Sequence, residues 1–344
     1  MRKFLVTGGS GFVGSHLCEA LIERGDEVFV MDDLSTGRLE NIAHLQEHPR
    51  FHLVISSILD LKRLEPLVRW ADAIFHLAAV VGVKKIIDAP VETIETNILG
   101  SHNVLALAAQ SRKLCLITST SEVYGKSVRH PYSENDDVVY GPTVKSRWSY
   151  ACSKAIDEFL ALAYWESQKL PIIVARLFNT TGPRQTGRYG MVLPRFVDQA
   201  MRGDAMTVYG TGTQTRCFAD VRDVVRALLM LMQSHKAVGQ VFNVGNPQEI
   251  SISELARLVK KMTHSRSEIC VIPYEQAYQP GFEDMERRVP NIEKITRMVG
   301  FKPHYRLHDT ISRMIHSWKE ETTAAEIKLP AVLQPNPLPA EAGE

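Results

Sequence analysis

Two textures alternate along the first half of the chain. Short runs that are apolar at nearly every position are followed by longer segments in which apolar residues recur every three or four. FLVTGG, with Phe4 to Thr7 as a first strand, leads into GSHLCEALIERG and then EVFVMDD. The order continues through AIFHLAA, VETIETNILGSHNVLALAAQ, LCLITSTS, SYACSKAIDEFLALAYWESQ and PIIVARLFN. A continuous apolar run suits a strand buried on both faces, and a 3.6-residue period suits a helix laid over it. The alternation predicts an α/β fold: a doubly wound parallel sheet of Rossmann type, with ligand sites beyond the C-terminal ends of its strands.

From about Thr180 the pattern changes. TGPRQTGRYG is a loop rich in Gly, Pro and Arg, and LPRFVDQAMRG reads as a helix stopped by Gly203. MTVYGTGTQTRCFADV reads as a short hairpin turning at Gly210 and Gly212. VRDVVRALLMLMQ has helical period, and VFNVGNP reads as one more buried strand returning to the main sheet. SISELARLVKKMT opens with a capping box, Ser251 followed by Glu254. The organisation predicted is a main domain over 1–180 with a return segment near 218–248. A smaller α/β lobe comprises 181–217 and 249–320. A Pro-, Ala- and Glu-rich mobile tail takes 321–344.

Composition narrows the function. The chain has 344 residues, 44% hydrophobic, enough for a sizeable core. With 40 basic and 39 acidic side chains, net +1, and no basic stripe, nucleic acid is a poor partner. No apolar run approaches a membrane span, and the FLV of the N-terminus is too short for a signal peptide, so a cytoplasmic (cytosolic) enzyme is expected. The five cysteines are widely spaced without a CxxC pair, which argues against disulfides and against a metal site.

TGGSGFVG places Gly8, Gly11 and Gly14 between the first strand and first helix, spaced GxxGxxG. Such glycines allow a tight turn and let a pyrophosphate approach the free N–H groups of the helix. The second strand ends in Asp32, where a carboxylate can bind both hydroxyls of an adenosine ribose and repel a 2′-phosphate. The pattern favours NAD over NADP, with Arg38 close enough in sequence to oppose that preference. Tyr150 and Lys154 stand four apart in SYACSK, on one face of a predicted helix. An ammonium beside a phenol favours phenolate, so Tyr150 can take a proton from a sugar hydroxyl. Each of these signals has a plain structural reading: a Gly-rich turn, a surface Tyr, a solvated Lys. Together with STSEVYG they define one site.

As a set, TGGSGFVG, Asp32, STSEVYG, YACSK, ARLFNTTGPR and GTQTRCFADVRD resemble the extended short-chain dehydrogenase/reductase family, from Arg2 to about Trp318. The chain is most similar to its nucleotide-sugar epimerases, dehydratases and decarboxylases. The resemblance implies that the glycine loop, with Phe12 and Val13, and Asp32 bind NAD. It implies Tyr150 as base, Lys154 as its partner and Thr120 as hydrogen-bond partner of the hydroxyl being oxidised. It also implies that His76, Leu77, Ala78, Ala79, Lys84 and Asn97 line the cofactor channel, with Lys84 close to substrate. Ser57, followed by Ile58, stands where the family usually has an Asp beside adenine. By the same match Asn179, the Val192–Leu193 backbone and Arg216 hold the nucleotide diphosphate. A homodimer through the helices holding Asn97–Gln110 and Tyr150–Trp165 is implied as well.

These enzymes make a 4-keto sugar, and its fate separates them. A 4-epimerase needs no further acid or base. A 4,6-dehydratase must remove the C5 proton, and a uronate decarboxylase loses carbon dioxide beside the ketone. In the dehydratases the motif resembles T-D-E or T-S-E, and in the decarboxylases it resembles T-S-E with a C-terminal Arg facing the sugar carboxylate. Here Thr120, Ser121 and Glu122 spell T-S-E, Ser121 could hold the substrate carboxylate, and Arg288 falls on the position of that Arg. VVGVKK after HLAA is closer to the 4-epimerase pattern. The reading is a UDP-glucuronate decarboxylase, with UDP-sugar 4-epimerase and then 4,6-dehydratase as alternatives. Outside the enzymes stands an NAD-binding scaffold or sensor on the same fold.

Overall fold

The structure is a computed structural model and describes residues 1–81, 89–187, 191–277 and 285–327. Seven strands form one sheet: β1 (Lys3–Thr7), β2 (Glu27–Asp32), β3 (Phe51–Ile55), β4 (Ala73–His76), β5 (Leu114–Thr120), β6 (Ile172–Leu177) and β7 (Gln240–Val244). Their order is β7-β6-β5-β4-β1-β2-β3, and every neighbouring pair is parallel. Strand order reverses between β1 and β4, the crevice where doubly wound sheets take ligands. This is the Rossmann-type α/β fold the alternation implies.

Both faces of the sheet are covered. Phe4 and Val6 of β1 point to one face, where α1 (Phe12–Glu23) contributes Leu17 and Leu21. Leu5 points to the other, among Leu64 of α2 (Leu61–Trp70), Val104 of α3 (Pro90–Gln110) and Ala161 of α4 (Ser149–Gln168). Strand residues with apolar side chains up and down are why these segments read as unbroken apolar runs.

After β6 the chain builds α5 (Val192–Arg202) and then α6 (Val221–Gln233), which returns to the α1 face through Val224 and Leu228. β7 then pairs with β6 at the sheet edge. A separate core joins Leu193 and Phe196 of α5, Met206, Val208, Leu255 of α7 (Ile252–Thr263), and Ile311. Helix α7 carries the capping box: Ser251 Oγ accepts from Glu254 N at 3.2 Å, and Glu254 Oε2 accepts from Ser251 N at 3.0 Å.

Two segments depart from the sequence reading. Residues 206–217 do not form a hairpin. Met206–Tyr209 pairs in parallel with Ile269–Ile272, while Thr215–Cys217 pairs with Glu249–Ser251 and Arg287–Arg288. Gly210 and Gly212 do turn the chain, at φ +73° and +75°, but Gly210 N donates to Ile272 O at 2.9 Å. The edge a hairpin would use is taken by a strand some sixty residues on, invisible to local turn chemistry. A last helix also runs Leu307–Ile327, past the predicted start of the tail. The rest of that tail, 328–344, lies outside the described residues.

Candidate active site

A cavity of about 440 Å³ opens at the C-terminal ends of the central strands, facing the smaller lobe. At one end lies the β1–α1 turn. Gly8 has φ +73°, and a Cβ there would stand 2.7 Å from Ala78 N. A Cβ on Gly14 would stand 2.1 Å from Gly8 O, so strand and helix meet only because position 14 is bare. Gly11 caps α1, and Gly8, Gly11, Phe12, Val13 and Gly14 all line the cavity. The first-turn N–H groups of α1 therefore sit at a surface suited to a phosphate.

Asp32, at the tip of β2, ties this turn to the strand. Its Oδ2 accepts from Ser10 N and its Oδ1 from Leu34 N, both at 2.9 Å. Burial pushes its carboxyl above the usual range, and the two N–H bonds pull back against that. Asp32 and Arg38 both line the cavity. Beyond them the wall is Ser56 and Ile58. Ser57 lies between them, but its Oγ accepts from Leu59 N at 3.3 Å and it is not part of the wall.

After β4, Leu77, Ala78 and Ala79 line the cavity, whereas His76 and Asn97 lie behind it. His76 is bonded on both ring nitrogens, to Thr7 Oγ1 at 2.7 Å and Ser101 Oγ at 3.1 Å. Burial, with the Lys154 charge second, lowers its pKa to about 3, so it is neutral near pH 7. Asn97 shapes the wall from behind by accepting from Val80 N at 2.7 Å and donating to Val80 O at 3.3 Å. Lys84 lies outside the described residues.

The centre of the cavity is the end of β5. Thr120 Oγ1 accepts from Glu122 N at 3.3 Å, and the Thr120 side chain hydrogen-bonds the Tyr150 phenol. Ser121 lines the cavity too, itself buried. Tyr150 and Lys154 reach the same region from one face of α4. The phenol is not tuned as the spacing alone suggests. Its pKa is raised, by burial first and then by the charges of Glu122 and Asp157, with the Thr120 bond opposing. Lys154 Nζ donates to Asp157 Oδ2 at 2.8 Å, so a carboxylate compensates the ammonium that would favour phenolate.

Glu122 is held between two guanidiniums. Arg147 Nη1 donates to its Oε2 at 2.6 Å and Arg288 Nη1 to its Oε1 at 3.3 Å. All three line the cavity. A carboxylate so placed has charged donors beside it, not just a backbone N–H to cap.

At the far end stand Asn179, Val192, Leu193 and Arg216. Asn179 Nδ2 donates to Cys217 O at 2.9 Å, and Arg216 Nη1 to Thr215 O at 2.8 Å. Thr180 Oγ1 and Gln214 Oε1 are buried without a hydrogen-bond partner, and both residues line the cavity. Buried polar atoms of this kind are normally paired, so they suit a polar ligand.

Sequence reasoning passed over Arg147, Asp157, Arg195, Thr180 and Gln214. Arg147 stands three residues before Tyr150 and Asp157 three after Lys154, yet nothing in SRWSYACSKAID separates them from surface charges. Arg195 lines the cavity and lies over the Tyr209 ring at 4.0 Å, a contact between segments that look unrelated in the sequence.

Comparison with known proteins places the chain. It is 41% identical over 320 residues to a UDP-N-acetyl-alpha-D-glucosaminuronate decarboxylase of Bacillus cytotoxicus, covering 93% of this chain and 98% of the relative. It is 39% identical to UDP-glucuronic acid decarboxylase 1 of Arabidopsis thaliana, over 92% of this chain and 70% of the relative. Among solved structures, UDP-glucuronic acid 4-epimerase from Bacillus cereus, in complex with UDP-glucuronic acid and NAD, superposes with TM-score 0.83 at 26% identity, covering 93% and 99% of the two chains. The family model described as GDP-mannose 4,6 dehydratase matches residues 5–314, and the chain belongs to that family of NAD-dependent short-chain dehydrogenase/reductase enzymes.

Proposed function

We propose that the protein is an NAD-dependent decarboxylase of a UDP-linked hexuronate, acting through a 4-keto sugar. The observation that carries this reading is Arg288 and Arg147 around Glu122, in the same cavity as Thr120 and Tyr150. Guanidinium pairs suit a sugar carboxylate, whereas a 4-epimerase has no chemical need for a carboxylate beyond the Tyr–Thr pair. The named decarboxylases among its relatives support the same choice.

The residues fit NAD. The glycine turn leaves room for a pyrophosphate at the N-terminus of α1, and Asp32 meets the cavity at the tip of β2. Held there by the glycine turn and Asp32, NAD would supply the hydride chemistry at C4 of the sugar. Thr120 orients the C4 hydroxyl, and Tyr150 removes its proton as the ketone forms. The carboxylate is then beta to a carbonyl. When the C5–C6 bond breaks, its electron pair moves into the C4 enolate, which the Tyr150 hydroxyl and Thr120 can stabilise. Carbon dioxide leaves, C5 takes a proton from solvent relayed on the Glu122 side of the cavity, and Tyr150 gives its own proton back to the C4 oxygen as the ketone is reduced. Asn179, the start of α5 and Arg216 hold the nucleotide diphosphate at the far end.

We also propose a homodimer through α3 and α4, which present Leu99, Ile156 and Phe159 to solvent at 52%, 44% and 70% exposure. Sedimentation should give twice the chain mass, and a monomer at micromolar concentration overturns this part.

The activity test is mass spectrometry and proton NMR of the protein with NAD and, separately, UDP-glucuronate, UDP-N-acetylglucosaminuronate and UDP-glucose. Loss of one carbon dioxide from a uronate is the expected result, and the preferred uronate reports the C2 substituent. Unchanged mass with a new anomeric signal makes the enzyme a 4-epimerase and overturns the proposal.

A further inference from the structure

The pair formed by Lys154 and Asp157 is not accounted for by the reaction as described. Both side chains are buried, at 3% and 1% exposure, and Nζ stands 2.8 Å from Oδ2. One turn of α4 fixes this geometry, since residues three apart share a face. The other carboxylate oxygen, Oδ1, is buried with no hydrogen-bond partner. A buried ion pair with one oxygen left bare is a poor stabilising device, because the desolvation of that oxygen is uncompensated. The arrangement is better explained by its effect on the lysine.

We propose that Asp157 is a positioning residue for the reaction: it anchors the Lys154 ammonium on α4, offsets its charge, and so sets the pH at which Tyr150 gives up its proton. The inference rests on Tyr150 being the base. The groups that face this pair and Tyr150 come from every neighbouring element. From β4 comes His76, neutral near pH 7. From the end of β5 come Thr120 and Glu122, the latter bound to Arg147. From α3 comes Asn97, whose amide donates to Ser153 Oγ at 3.3 Å. Of these, Glu122 also raises the Tyr150 pKa but is bound by arginines, whereas Asp157 is the carboxylate in direct contact with Lys154. Without Asp157, the ammonium would act on the phenol in full and favour phenolate at lower pH. Asp157 thus keeps the phenol protonated more firmly, a setting that favours return of the proton to the sugar.

The test compares Asp157→Asn, Asp157→Glu and Tyr150→Phe with the parent. Two quantities are read: the acid limb of kcat/KM, and the near-ultraviolet phenolate titration of NAD-loaded protein, taken as a difference against Tyr150→Phe. Asp157→Asn should move both to lower pH by about half to one unit, the effect of removing one nearby charge in a partly screened site. Asp157→Glu should stay with the parent. A merely structural residue would lower activity or stability without moving either titration. Coincidence of Asp157→Asn with the parent, or a downward shift in Asp157→Glu, overturns the inference. Should Asp157→Asn fail to fold, Asp157→Ser is read in the same way. Turnover retained in Tyr150→Phe would instead overturn the assignment of the base. An inactive Tyr150→Phe with an unmoved Asp157→Asn titration would overturn this inference alone.

Discussion

Two regions of the cavity are built by different means. At the β1–α1 turn, where we propose the dinucleotide binds, the wall is made by backbone. Gly8 and Gly14 work by lacking a side chain, and Asp32 is fixed by two main-chain N–H groups. At the centre, where we propose the sugar sits, the wall is made by charged side chains brought from three separate stretches: Glu122 after β5, Arg147 before α4, and Arg288. A backbone site cannot be retuned without moving strand against helix. A side-chain site can be altered one residue at a time, which is how one cofactor platform comes to serve several fates of a keto sugar.

That contrast can be broken or sharpened by substitution. The largest effect is expected from Glu122→Gln, which should lower kcat on a uronate by about 10²–10⁴-fold, the usual range for losing an acid–base group. Its NAD affinity by calorimetry should be unchanged; an equal loss of NAD binding would show that the two regions are not separable. Gly14→Ala comes next. Its Cβ would meet Gly8 O at 2.1 Å, so the turn must move, and NAD binding should weaken by about 10²-fold, as for a misplacement near one ångström. UDP binding measured in parallel should hold. Arg288→Lys keeps the charge but loses the fork, and should weaken a uronate by about tenfold while leaving UDP-glucose affinity alone. Equal losses on both ligands would make Arg288 a diphosphate contact. The smallest effect is expected from Asp32→Asn. It keeps the shape and removes the repulsion, so NAD should weaken severalfold and NADP gain relative to it, read as a ratio of dissociation constants.

How much could be read in advance follows the same division. The placement of Gly8, Gly11, Gly14 and Asp32 at the cavity was legible because it depends on spacing along one strand–turn–helix unit. Tyr150 and Lys154 were legible because helical spacing puts both on one face. Arg147 and Asp157 sit just as near in sequence, yet their meaning lies in what they touch, and a charge in a helix reads as solvated until its burial is known. Ser57 illustrates a finer limit. Register to one residue decided that Ser56 and Ile58 form the wall while Ser57 caps its own turn. The 206–217 segment failed for a different reason: its glycines turn the chain as expected, but β partners far along the sequence decide the pairing.

The return of the chain at β7 has a bearing on how the molecule can be taken apart. The polypeptide leaves the main sheet after β6, builds part of the smaller lobe, comes back to close the sheet edge, and leaves again. Neither lobe is one continuous piece of chain. A polypeptide cut after Leu177 would leave the outer edge of β6 with unpaired peptide groups and Ile173 and Ala175 uncovered by α6, an invitation to pair with another molecule. A cofactor module cut from this chain is therefore expected to need β7 and α6 carried along with β1–β6.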